Sequence, residues 1–359
     1  MEQQALARTA GEDADYLRLG IAKDRIEPWE DGARTDNSAG TYEWWYFDAH
    51  LSDGSKVVVS FLNKMISEAD KPLDPTLMLN LDLPDGRSFE KVAKFEASEF
   101  SAAKDHAEVR FGDNSLIGDL RSYRIVAEIE EVSVDFTLQA EVPSWRPKTG
   151  HMYFGPGEEK LFAWLPSVPQ GKVTGSFTVA GQRAEVTGVG YHDHNWGNVG
   201  LPSVIHDWYW ARGQAGPYSV IASYITAHEK FGYEAIPIFM LAQDGTIIAD
   251  DSKLVRFETE DIRIDDVTAK PVANITRYSY DDGADRYQVT FTRKNDLSRS
   301  KMIDDVHGPK RVLAKLARFD GAYLRFSGEL SIKHFRDSEL IEEYQDEAIW
   351  ELMYFGHAR

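Results

Sequence analysis

"EWWYFDAHLSDGSKVVVSFL", residues 43–62, places an aromatic run and a β-branched run on either side of Asp53-Gly54. Aromatic and β-branched side chains favour extended backbone, and Asp-Gly supplies the positive φ of a tight turn, so the stretch reads as a β-hairpin. Residues 77–83 followed by Pro84-Asp85-Gly86 read as the next one. Val132, Val134, Phe136 and Leu138 alternate with Ser133, Asp135 and Thr137, the period of a strand with one wet face. Residues 236–241 before Asp244-Gly245, 287–292 and 323–332 continue the style. Helical periodicity is confined mainly to residues 309–319 (PKRVLAKLARF). The expected fold class is all-β and antiparallel, with few short helices.

The hairpin has an echo. A shift of 163 positions lays Trp45-Tyr46-Phe47 on Trp208-Tyr209-Trp210, and Val57, Val58, Ser60 and Phe61 on Val220, Ile221, Ser223 and Tyr224. Agreement over two successive hairpins implies a duplicated barrel-like β-domain. The expected division is a charged, loosely packed arm at 1–35, a first domain at 36–200 and a second at 205–359.

Composition narrows the partners. Asp and Glu number 59 against 40 Lys and Arg, a net charge of −19, which repels nucleic acid and anionic lipid headgroups. Cysteine is absent, which removes disulfides, thiolate metal sites and cysteine nucleophiles. The first residues show no signal-peptide pattern and no segment is long and apolar enough for a spanning helix, so a cytoplasmic protein without membrane insertion is expected. Walker and dinucleotide fingerprints are missing, as is a Gly-x-Ser-x-Gly elbow; no cofactor is expected.

Three stretches carry chemistry. In "GYHDHNWGN" (190–198), strand alternation puts His192, His194 and Trp196 on one face and Tyr191, Asp193 and Asn195 on the other. In "TYEWWYFDAH" (41–50), Tyr42, Trp44, Tyr46 and Asp48 share one face, while Glu43, Trp45 and Phe47 share the other. Each face mixes a carboxylate with aromatic rings, which describes either a core strand with rim acids or an apolar pocket holding a carboxyl of raised pKa. "HDWYWARG" (206–213) repeats the pattern with Asp207, Trp208, Tyr209 and Trp210. His192 and His194 also suit a metal, with His206 or Asp207 completing the set, but Trp196 crowds that face and no metal is expected.

The motifs "EWWYFDAHLSDG" (43–54), "GYHDHNWGN" and "DWYWARG" (207–213), taken in this order, resemble the carotenoid 1,2-hydratase (hydroxyneurosporene synthase) and AttH-like family. Fungal decalin-forming Diels–Alderases show looser counterparts of "EWWYFD" and "GPYS". The resemblance implies two tandem lipocalin-like barrels with a lipophilic polyene at or near their junction. It also implies roles for His194 and Trp196, with a Tyr and an Asp further along the chain. Tyr224 is in range, but Thr226 follows two residues later and no aspartate lies between Asp207 and Asp244. Asp193, Asp207 or Asp48 would then be the acid.

These readings converge on a metal-independent lyase or isomerase of terpenoid or polyene metabolism. It would hydrate or cyclise an unsaturated lipophilic substrate by proton donation. The catalytic set is expected among His192, Asp193, His194, Trp196, Asp207 and Tyr224, and the substrate face among Glu43, Trp44, Tyr46, Asp48, Trp208, Tyr209 and Trp210. Two alternatives stay open: a pericyclase on a polyketide-type polyene, and a noncatalytic lipophile carrier. The oligomeric state is not readable from the sequence.

Overall fold

The computed structural model describes residues 6–304 and 320–358, so the helix expected at 309–319 lies outside the described residues. Chain contacts define two compact units, one of residues 9–153 and 158–200, the other containing everything described from residue 201 onward. Each is built on one antiparallel sheet.

The first sheet comprises β1 (Ala7–Thr9), β2 (Tyr42–Leu51), β3 (Lys56–Leu62), β4 (Thr76–Asp82), β5 (Ser88–Lys94), β6 (Phe100–Ala102), β7 (Ala107–Phe111), β8 (Asn114–Gly118), β9 (Ser122–Ile129), β10 (Val132–Ala140), β11 (His151–Phe154), β12 (Lys160–Val179) and β13 (Gln182–Gly197). Its order is β5-β4-β3-β2-β13-β12-β10-β9-β8-β7-β6, with β11 and β1 branching off β12. The second comprises β14 (Ile205–Ala215), β15 (Tyr218–Ala227), β16 (Ala235–Gln243), β17 (Thr246–Ala249), β18 (Val255–Ile264), β19 (Pro271–Asp281), β20 (Asp285–Lys301), β21 (Ala322–Arg336) and β22 (Glu339–Tyr354). Its order, β17-β16-β15-β14-β22-β21-β20-β19-β18, repeats the first from β5 through to β8. The fold is all-β, with two curled lipocalin-like antiparallel sheets.

The hairpins expected from the turn chemistry form. Leu51 closes on Ser55 with Gly54 at φ 90°, whereas the turn after Ala215 is one residue tighter, with Tyr218 opposite Ala215 and Gly216 at φ 56°. That missing residue corrects the sequence echo. Trp45 faces Phe61 and Phe47 faces Val59, while Tyr209 faces Tyr224 and Ala211 faces Ala222. The 163-residue shift therefore holds on β3 and β15 but slips by one on β2 and β14. The counterpart of Trp45 is Tyr209, and both are core residues, while Trp208 corresponds to Trp44. Side chains alternate faces, so a one-residue slip exchanges inside for outside.

The N-terminal residues are not a loose arm. α1 (Asp13–Leu19) is followed by a short 3-10 turn at Pro28–Asp31, and Ala10, Glu30 and Asp31 are buried. The turn starts on Pro28 and is tied by the Glu27 amide, which donates to Glu30 Oε1 at 2.9 Å. Charged residues looked solvent-bound in the sequence because their partners are distant in the chain.

β12 and β13 deliver the histidine motif, and two register irregularities in β12, between Leu165 and Gly171, lie opposite His192. Where β10 passes β12, Gly175 sits opposite Phe136 at φ 143°, and a Cβ there would lie 2.1 Å from the Asp135 carbonyl oxygen. Backbone cannot yield as a side-chain tip can. Gly175→Ala is expected to lower unfolding stability by roughly 2–4 kcal/mol in urea titrations; a loss below about 0.5 kcal/mol would contradict the tight crossing.

Candidate active site

Pairing of β13 with β2 sets His192 opposite Phe47, His194 opposite Trp45 and Trp196 opposite Glu43. Both histidine side chains have no exposed surface, so their nitrogens need partners within the protein. His192 Nδ1 lies 2.8 Å from the Tyr46 carbonyl oxygen and can only donate to it. Its Nε2 lies 3.2 Å from Asp31 Oδ2, an acceptor when ionised, so the geometry fits an imidazolium beside a carboxylate. Burial alone would lower the pKa of His192, but the Asp31 charge, its hydrogen bond and the Tyr46 carbonyl raise it above the ordinary value. Burial likewise works to raise Asp31; the charge and hydrogen bond of His192, the His194 ring and the Tyr123 hydroxyl hold it below the ordinary value. Tyr123 donates to Asp31, and burial with that carboxylate pushes its own pKa far up, so it stays a neutral donor.

His194 bridges two acids. Its Nε2 is 2.8 Å from Glu43 Oε1, and its Nδ1 is 3.5 Å from Asp31 Oδ1. The ring stacks on Trp45 at 4.6 Å between centroids and leans on Trp196 at 4.8 Å. Glu43 also accepts from the Arg34 amide at 2.5 Å and from the amide and hydroxyl of Thr35 at 3.1 and 2.8 Å. The histidines thus join the sheet to residues 31–35. Among the described residues, no group of three His, Asp or Glu side chains is placed to hold one metal ion.

Asp193 points the other way. Its Oδ2 accepts from Trp164 Nε1 and Tyr191 Oη, both at 2.7 Å, and its Oδ1 from Asn195 at 2.7 Å. Burial raises its pKa despite these donors. On this face Tyr46 donates to Asp48 at 3.1 Å, and Trp44 stacks on Tyr42 and Phe162. The remaining expected residues belong to the second unit. Asp207 lies 2.5 Å from His206 Nδ1 and accepts from Thr226, Trp208 meets Phe355 edge-on, and the Tyr209 hydroxyl accepts from the Ala273 amide. Tyr224 stacks on Phe257, and Trp210 sits half-buried opposite Ser223 and Glu351.

A cavity of about 190 Å³ opens beside the buried cluster, and every residue lining it belongs to the first unit, whereas the sequence reading set a pocket at a domain junction. Trp29, Trp164 and Trp196 supply aromatic walls. Of the expected site residues only Trp196 lines it; His194 stands behind that indole. The polar lining is Glu30, Arg34, Arg146, Thr149 and His151. Glu30 Oε2 is 3.0 Å from Arg146 Nε, and burial raises the Glu30 carboxyl even against that guanidinium. His151 Nδ1 is committed to the Thr149 carbonyl at 2.8 Å, which leaves Nε2 as its free nitrogen. Burial lowers the His151 pKa to about 4, assisted by the charges of Arg146 and Arg18 and opposed by the Thr149 carbonyl. One wall is therefore a reluctant carboxylate, another a neutral imidazole.

The cluster makes two testable demands. The His192 contribution is complete below its unfolded pKa of about 6.5 and is lost as pH rises through its higher folded value. The Asp31 contribution is complete above about pH 3.9 and is lost as pH falls through its lower folded value. Urea midpoints should therefore peak between these limits, and the His192→Gln, Asp31→Asn double variant should flatten both flanks. His194→Ala, by removing the Nε2 partner of Glu43 and the ring packed between Trp45 and Trp196, should cost about 2–4 kcal/mol of stability; an unchanged unfolding midpoint would refute the packing and bonding role.

The chain is 29% identical over 199 residues to the quinolone epoxide rearrangement protein asqO of Emericella nidulans, covering 51% of this chain and 54% of that one. It is 30% identical over 208 residues to a hydroxyneurosporene dehydrogenase of Chlorobaculum tepidum, covering 49% and 54%. The chain spans about half the length of these curated relatives. A crystal structure of an AttH-type protein from Nitrosomonas europaea superposes with a TM-score of 0.60 at 17% identity, covering 93% of this chain and 98% of that one. The Diels-Alderase-like family model matches residues 34–302, and the chain belongs to that family.

Proposed function

We propose that the chain is an enzyme of natural-product metabolism that promotes hydration or cyclisation of an unsaturated lipophilic substrate, with the cavity of the first unit as its reaction site. The carrying observation is the opposed pair of environments in one cavity: burial raises the Glu30 carboxyl and lowers the His151 imidazole. Groups whose environments push their pKa values apart divide naturally into acid and base. Glu30 gives its proton to a substrate carbon, so that O–H breaks and C–H forms. Water or an internal nucleophile bonds to the neighbouring carbon, and its proton passes to His151 Nε2. Exchange with solvent then restores both groups. Trp29, Trp164 and Trp196 present π-faces to the conjugated chain.

The printed names of the relatives, one concerned with epoxide rearrangement and one with hydroxyneurosporene, agree with small unsaturated or oxygenated substrates. A carrier has no use for a raised carboxyl and a free imidazole nitrogen in its binding space. The pericyclase reading retains one support, the guanidinium groups on the wall, because carbonyl polarisation needs donors without net proton transfer.

The test is turnover in deuterated water of candidate polyenes made by synthases encoded beside this gene. Hydration or proton-initiated cyclisation places solvent deuterium on carbon, and a product lacking it would reject the mechanism. The rate should fall on the acid side as His151 protonates near pH 4 and on the alkaline side as Glu30 ionises above its ordinary value. Glu30→Gln should lower kcat at least about a hundredfold and remove the alkaline flank.

A further inference from the structure

We infer that the cavity takes a planar conjugated group bearing a carbonyl oxygen, and that Arg34 receives that oxygen. This rests on reading the cavity as the reaction site. Arg34 is held in place by its own backbone and its neighbours: Nε donates to the Gly32 carbonyl at 2.8 Å, Nη2 donates to the Lys104 carbonyl, and the guanidinium lies over Trp29 at 4.9 Å. Among the described residues Nη1 has no acceptor, and the side chain forms no ion pair with a carboxylate. The other guanidinium on the wall is matched, since Arg146 Nε faces Glu30 and its Nη2 donates to the Ala22 carbonyl at 2.6 Å. Three carboxylates act on Arg34 through space: Glu43 and Asp31 do not line the cavity, and Glu30, which does, is paired with Arg146. Asp31 serves His192 and Tyr123, and Glu43 serves His194 and the Arg34 and Thr35 amides.

One guanidinium with an open donor therefore lies on the wall of a space lined by three indoles. An isolated carbocation would form beside a cation of like sign, an unfavourable neighbour in a medium poorer than water at screening. An oxygen that gains negative charge gains from the same group, because the donor is already oriented and need not reorganise. A conjugated carbonyl meets both conditions: its π-system lies along the indoles while water adds at the β-carbon. The electrons move to the carbonyl oxygen on Arg34, Glu30 protonates the α-carbon, and His151 takes the proton from water. Atoms and charge balance as one water added across the double bond.

The probes are cinnamamide and trans-1-phenylpropene, which are planar and similar in size and differ in the carbonyl group. Titrated against the full chain by tryptophan fluorescence, cinnamamide should bind about tenfold more tightly, the ratio expected of a hydrogen bond to a charged donor. In Arg34→Met the two should bind equally, at the phenylpropene level, with phenylpropene affinity showing that the cavity is intact. Equal affinities in the unmodified chain, or a preference that survives Arg34→Met, would overturn the inference. Should the variant misfold, guanidinium ¹⁵N spectra of the unmodified chain decide: cinnamamide should shift one arginine Nη resonance and phenylpropene should not, and no selective shift overturns the inference. Glu30→Gln separates this from the acid–base reading. If it loses the cinnamamide preference, the oxygen site is wrong; if it keeps both that preference and full turnover, only the acid–base reading fails.

Discussion

A carboxylate with no exposed surface must either take up a proton or find a cation, and Asp31 takes the second course with His192. The pair is costly to desolvate, so its value depends on every remaining lone pair and proton being met. Tyr123 and the Tyr46 carbonyl meet two of them, and His194, held against Trp45, meets Glu43, while Asp31 Oδ1 and His194 Nδ1 face each other at 3.5 Å without a hydrogen bond. Glu43 in turn accepts from Arg34 and Thr35. The chain of contacts begins in the sheet and ends on residues 29–35, which carry Trp29, Glu30 and Arg34 into the cavity wall. Charge burial is thus a positioning device for a segment without regular secondary structure beyond one 3-10 turn.

The second unit shows what the sheet does without this requirement. Its strands run in the same order, and Trp350, Leu352 and Tyr354 occupy the positions of His192, His194 and Trp196 opposite β14. All three are buried in an apolar core. Strand pairing at these positions therefore accommodates apolar side chains, and the histidines of the first unit are not demanded by it. Equivalent positions with equivalent burial thus tolerate apolar side chains.

Strand content and hairpin positions were legible because they depend on local chemistry: alternation, β-branching and Asp-Gly turns. The face occupied by His192 and His194 was legible for the same reason, since alternation is a property of neighbouring residues. The echo between Trp45 and Trp208 misled by one position because a turn shortened by one residue changes register without changing composition. Asp31 and Glu30 were invisible as members of the proposed site because their contacts are with partners more than a hundred positions away, His192 and Arg146. A faint signal existed in "EPWED" (27–31), where a proline opens a turn and glutamates stand three apart as in a capping box, with a tryptophan between them.

His151 was missed for a related reason. A single histidine in "GHMYF" (150–154) carries no spacing cue, and its chemistry arises from what surrounds it in space: the Thr149 carbonyl on one nitrogen, the edge of Trp196 at 5.4 Å, and the positive charge of Arg146. The same indole touches His194 on the inside of the sheet and lines the cavity on the other side. Trp196 is therefore where the buried charge network and the proposed reaction space meet. The tilt of its ring is set by the imidazole stacked between it and Trp45, so the network shapes the cavity without contributing a polar atom to it.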